Sequence, residues 1–192
     1  MAKKHEFKPD RERTGLLKKL HLTQSQRKTL LKWCLYTLTL LVLSVLQDVI
    51  FCRIRLFGAT TDLVPCGIFL ICLLEGAEGG CIFSLIASAL FLFSGTAPGV
   101  YSIVFITGIS IVAAAFRQAY LQSGFGSAML CSGVSVVAYE MLVFAVGLFL
   151  GHTYSGRAVV FLLTGGLSLL VLPVLYPILL SIGRIGGSAW KE

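Results

Sequence analysis

Glu140 is the residue with the clearest claim to chemistry. The stretch VVAYEMLVF, residues 136–144, sets this one carboxyl inside a long run of apolar and small residues. An ionisable group at membrane depth is costly and marks function by default. It could be a catalytic acid, a proton or solute site, or a polar contact between packed helices. Hydrolysis would need a nucleophile with a base, a carboxylate pair or a metal site. The histidines supply none of these, because His5 and His21 lie in the N-terminal segment and His152 follows the fifth apolar run. Neither H-E-x-x-H nor G-x-S-x-G occurs, and there is no glycine-rich phosphate loop.

The other carboxyls sit at edges. Asp48 is expected near the outer end of the first span and Asp62 at the outer start of the second, as a pair of capping residues rather than a catalytic dyad. Glu75 and Glu78 are expected at the inner boundary, where they stay hydrated. The six cysteines, at 34, 52, 66, 72, 81 and 131, form no C-x-x-C pair and mostly fall within spans. They read as small packing residues rather than metal ligands or disulfide partners. No catalytic, metal or cofactor site is assembled, and the expected class is not an enzyme.

The elements that must position these groups are membrane helices. The chain is 56% hydrophobic and 13% charged, against roughly half and a quarter for a soluble domain. The apolar runs predict six spans: Leu30–Phe51, Asp62 to the EGAEGG turn, a third to Phe93, Tyr101–Tyr120, Ser127–Leu150 and Val159–Ile182. Asp62 is the expected N-cap of the second, with Pro65 in its first turn. SGTAPG reads as a turn, and Pro173 and Pro177 are expected to bend the last span. The domain organisation is a basic tail over 1–29, a six-helix domain over 30–183 and a short C-terminus over 184–192.

Charge gives the orientation. The net charge is +7, and residues 1–32 hold ten Lys and Arg. That tail reads as a cytoplasmic anchor to anionic lipid rather than as a nucleic-acid arm, and residues 15–32 as either an amphipathic helix on the membrane face or a solvated basic segment. With six spans, thirteen basic residues lie inside and three, Arg53, Arg55 and Arg157, outside, so both termini are expected in the cytoplasm.

Gly76, Gly80, Ser84 and Ser88 recur every four residues, and Gly147 and Gly151 repeat the step. Such spacing lines small side chains along one helix face, where another helix can approach closely. These residues, with Glu140, are the candidates for helix packing or partner contact.

LLVLSVLQDVIF followed by RLFGATTDLV resembles the opening of the MreD family of rod shape-determining membrane proteins. The likeness rests on Leu46, Gln47, Gly58, Asp62 and Leu63, with Thr61 where the family usually has proline. EGAEGGCIFSLIAS is similar to the family's glycine-stepped third span. SGTAPGVYSI matches its turn through Pro98, Gly99 and Tyr101, and AYEMLVF and PVLYPILLSIGRI are also in keeping, so the likeness covers about residues 40–186. Members often carry an aspartate near the position of Leu92, where this chain reads ALFLF.

The resemblance implies a non-enzymatic scaffold in the bacterial cytoplasmic membrane. It would bind the single-span protein MreC and so link MreB filaments to the peptidoglycan polymerase and transpeptidase of lateral wall synthesis and cell shape. It also implies a six-helix fold similar to the substrate-binding subunits of energy-coupling-factor vitamin transporters. That kinship gives the alternative function, although those subunits usually dock through an Ala-x-x-x-Ala step and Leu30–Phe51 contains no alanine. Whether the chain forms a homodimer is left open by the sequence.

Overall fold

The computed structural model describes residues 24–51, 53, 58–120 and 124–185. The basic tail up to residue 23 and the C-terminus from 186 lie outside the described residues, as does half of the proposed amphipathic segment. The described residues form α1 (Gln24–Leu46), which runs on into a π-helical turn (Gln47–Phe51), then α2 (Leu63–Glu75) and α3 (Ala77–Phe93). They continue with α4 (Tyr101–Tyr120), α5 (Phe125–Phe149), a short 3-10 turn (Ser155–Arg157) and α6 (Ala158–Ile185). Successive helices run up and down, and no strand occurs among the described residues. The first turns of α1 and the last of α6 share one end of the bundle, called here the near end.

Four helices, those including α1, α4, α5 and α6, are long and apolar enough to cross a membrane, so the chain is a multi-pass membrane protein. Their outward faces carry exposed Leu41, Val45, Val104, Val112, Leu130 and Leu170, a surface that water would not tolerate but lipid does. Pro173 and Pro177 both lie inside α6.

α2 is different. It has 13 residues, about 20 Å at 1.5 Å per residue, against a hydrocarbon core of roughly 30 Å. From Leu63 to Leu74 every residue is buried, as expected of a helix that is apolar all round. Pro65 costs nothing at its third position, where no N–H is used within the helix. α2 is thus the enclosed axis of the bundle, in contact with each of the other five helices. Gly76 turns the chain from α2 into α3 with φ +84°, a left-handed conformation that glycine adopts without strain.

Candidate functional site

The ionisable pairs found inside the bundle among the described residues, Asp62 with Glu140 and Lys32 with Glu75, lie at the two ends of α2. At its N-terminal, far end, Asp62 occupies the N-cap position in an extended conformation, but its side chain caps nothing. The cap comes from α1 instead. Gln47 Oε1 accepts the N–H groups of Leu63 and Val64, each at 3.0 Å, and Gln47 Nε2 donates to Asp62 Oδ1 at 3.5 Å. The Asp62 N–H donates to Ser168 Oγ of α6 at 3.0 Å, and the Ser168 hydroxyl donates to the Thr164 carbonyl at 2.8 Å. The π-helical turn that starts at Gln47 carries this side chain inward, while Asp48 beside it is exposed.

Glu140 of α5 completes the cluster. Its carboxyl and that of Asp62 come within hydrogen-bonding reach of each other. Glu140 is 3% exposed, whereas Asp62 is only partly buried. The Glu140 side chain packs beside Gly165 of α6, its Cγ 3.7 Å from where a Cβ would stand, an ordinary contact distance. Two buried oxygens here lack a partner, Glu140 Oε1 and the Tyr139 hydroxyl. The Tyr139 ring packs on Phe69 of α2, centroids 6.3 Å apart, and its hydroxyl points toward Ser102 of α4 without closing a hydrogen bond.

At the near end of α2, Glu75 is held by two residues of α1. Lys32 Nζ donates to Glu75 Oε2 at 2.5 Å and the Tyr36 hydroxyl to Oε1 at 2.9 Å. Both charged side chains are more than nine-tenths buried. Trp33, Tyr36 and Phe83 pack around the pair, with centroids 5.4 to 6.1 Å apart, and the Lys32 ammonium lies 5.4 Å from the Trp33 ring centre.

Several sequence expectations need correction. Asp62 does not pair with Asp48 but with Glu140, and it is not the side-chain cap of α2. Glu75 is not hydrated but enclosed with Lys32, a residue of the first span that was counted among the basic residues inside; Glu78 is exposed as expected. Glu140, a candidate for helix packing or partner contact, faces the Asp62 carboxyl of this same chain.

The small-residue faces are also placed differently. Gly80, Ser84 and Ser88 are buried against the bundle's own helices. A Cβ on Gly80 would stand 2.7 Å from the Cys72 carbonyl oxygen, and Ser88 Oγ lies 3.4 Å from Thr107 Oγ1 of α4. That face is therefore taken by α2 and α4, and Gly76 belongs to the turn before it. Gly147 and Gly151 form no helix face. The Gly147 carbonyl accepts the N–H groups of His152 and Thr153, and Gly151, at φ +70°, lies beyond the end of α5.

The remaining residues singled out in the sequence shape connections. Gly58 sits in the turn before α2. Gly99 leaves space for the Tyr101 ring, 2.6 Å from where a Cβ would be, and the Tyr101 hydroxyl donates to the Pro98 carbonyl at 3.2 Å. Cys66 and Cys72 are buried free thiols on α2, lying 3.7 Å from the Ser168 carbonyl and 3.5 Å from the Ser110 carbonyl.

Among the lateral grooves that open on the outside of the bundle are two of about 700 Å³ each. One lies between α1 and α3, walled by Trp33, Leu40, Ile86 and Phe91 over Val64 of α2. The other lies between α4 and α5, along Phe105, Gly108, Val112, Val134 and Leu142. Comparison of the chain with known protein families, with curated proteins and with solved structures finds no match.

Proposed function

We propose that the chain is a non-enzymatic membrane scaffold of the rod elongation machinery, with six spans and both termini in the cytoplasm. In this reading it binds an MreC-like single-span protein. Through that partner it connects MreB filaments with the peptidoglycan polymerase and transpeptidase. The observation that carries the reading is the division of labour between interior and surface. The deep carboxyls face groups of this same chain at the two ends of α2, while the outside presents apolar grooves along the helices. Grooves of that kind suit the side of another membrane helix, which associates by close packing. The small residues at the α4–α5 groove, Gly108 and Ala138, allow such an approach.

The test is to purify the tagged chain from its own membranes in mild detergent and identify what stays bound. Recovery of an MreC-like protein with wall-synthesis enzymes, lost when Ile86→Trp or Val112→Trp fills a groove, supports the scaffold. A chain that retains the partner with both grooves filled does not use them. The second reading, a solute-binding subunit of an energy-coupling-factor transporter, draws on the unpaired Glu140 Oε1 and Tyr139 hydroxyl. Recovery of a coupling subunit with its ATPases, or of a stoichiometric vitamin, would establish that reading and remove the first.

A further inference from the structure

Two carboxylates cannot hydrogen-bond to each other, so a paired Asp62 and Glu140 require something between them. Among the described residues, the groups facing the pair are Gln47 after α1, Cys66 of α2, Tyr139 of α5, Tyr101 of α4 and Ser168 of α6. None of these carries a positive charge. We propose that Asp62 and Glu140 form a proton-binding site, with one proton held between the two carboxyls and exchanged through Asp62 at the far end of the bundle. This inference does not depend on the scaffold reading.

The geometry also assigns the proton. Asp62 receives the Gln47 Nε2 hydrogen bond and stands at the N-terminus of α2, where the helix dipole favours negative charge. Asp62 is therefore the carboxylate, and Glu140 is the acid that donates to it. The orphaned Glu140 Oε1 is then the carbonyl oxygen of a neutral acid, which is cheaper to leave unpaired than an oxygen of a buried carboxylate. Asp62 is less deeply buried than Glu140, which is 3% exposed, so exchange with water runs through Asp62. When the proton leaves for that water, two carboxylates remain face to face and repel. The tie between the start of α2 and α5 opens, while the Gln47 and Ser168 contacts hold α2 to α1 and α6.

The sign of the pH dependence follows from proton counting. In the unfolded chain both carboxyls are ionised above roughly pH 5, whereas the folded pair keeps one proton. The folded state thus binds more protons, and its stability falls as pH rises, by a factor of ten in the folding constant per pH unit while the pair stays protonated.

The experiment is infrared spectroscopy of the full chain in lipid nanodiscs at neutral pH. It reads the carbonyl absorption of protonated carboxyls, in sodium and in choline buffers, for the wild type, E140Q and D62N. The other described carboxyls, Asp48, Glu75 and Glu78, are exposed or paired with Lys32, so the background is low. The expected result is one deuterium-sensitive band, absent in E140Q, retained in D62N and indifferent to sodium. A wild type without the band, with thermal stability that depends on sodium, makes the pair a cation site and overturns the proposal. Two bands in the wild type, one of them lost in each variant, mean that both carboxyls are neutral, which also overturns it. If E140Q does not fold, the wild-type band itself decides: it must disappear reversibly as pH is raised, and a band that does not titrate refutes the exchange.

Discussion

Gln47 Oε1 accepts the backbone N–H groups of both Leu63 and Val64, so the innermost helix of the bundle is capped by a side chain from another helix. The same helix α1 grips the other end of α2 through Lys32 and Tyr36 on Glu75. Lys32 and Gln47 are fifteen residues apart and Leu63 and Glu75 twelve, about 22 and 18 Å along their helices. The two spacings match closely enough for one antiparallel helix to hold the other at both ends. In lipid there is little hydrophobic drive between helices, so such polar ties set the register of α2.

Gln47→Ala removes the acceptor for two buried donors. An unpaired buried N–H costs about 1 to 3 kcal/mol, and the nearby Asp62 carboxylate can take over one of the two. The expected loss is about 2 kcal/mol, read as a lower unfolding midpoint in mixed micelles. An unchanged midpoint would mean that Asp62 serves as the cap by itself.

Lys32→Ala leaves Glu75 buried with the Tyr36 hydroxyl as its remaining partner. Breaking a buried pair from one side costs about 3 to 5 kcal/mol, whereas removing both charges costs much less. The double variant Lys32→Ala with Glu75→Gln should therefore recover a good part of the stability lost by Lys32→Ala. A double variant as unstable as the sum of the two single ones would place the pair in water rather than in the bundle.

What the sequence made legible was what depends on local pattern. The turn SGTAPG and the apolar run after it place α4 at Tyr101–Tyr120, and Pro65 marks the first turn of α2. The start of α1 was not legible, because Gln24–Lys32 is polar and lysine-rich and looks like tail, while its partner Glu75 lies 43 residues away. The Asp62–Glu140 pair was missed for the same reason: 78 residues separate the two. A signal was present in LVPCGIFLICLL, apolar on all sides after Asp62. A helix of that kind is enclosed, and the carboxyls at its ends are enclosed with it. The small-residue step in α3 was legible as a packing face, but spacing cannot say whether the packed helix is internal or foreign.

Gly80→Ala tests that internal contact. Its Cβ would meet the Cys72 carbonyl oxygen at 2.7 Å and Cα at 2.8 Å, backbone atoms that cannot swing away. Overpacking of this kind costs about 1 to 3 kcal/mol. Gly108→Ala, in the open α4–α5 groove with nothing within 4 Å, should be neutral or gain up to about 1 kcal/mol. Thermal midpoints of the two variants in the same detergent separate the closed face from the open one. Equal effects would show that α2 and α3 are not in contact at Gly80.

The last prediction concerns how far α2 and α3 reach. Both are shorter than the helices that qualify as spans. A hairpin that dips into the membrane and returns would leave every later connection on the same side as two full crossings do. Fusions at the later connections therefore cannot tell the two arrangements apart, and the turn between α2 and α3 can. Glu78 is exposed in the first turn of α3, one turn from the Lys32–Glu75 pair at the near end. If α2 and α3 both cross, a cysteine at this site (Glu78→Cys) reacts with a membrane-impermeant maleimide from the cytoplasmic face, in inverted vesicles but not in intact cells. The native cysteines include exposed Cys34 on α1, so the label is read in a background where Cys34 and the other native cysteines are replaced by serine or alanine. Labelling confined to intact cells would invert the proposed orientation. Protection on both sides would make α2–α3 a buried re-entrant hairpin, with Lys32 and Glu75 holding its tip inside the bilayer.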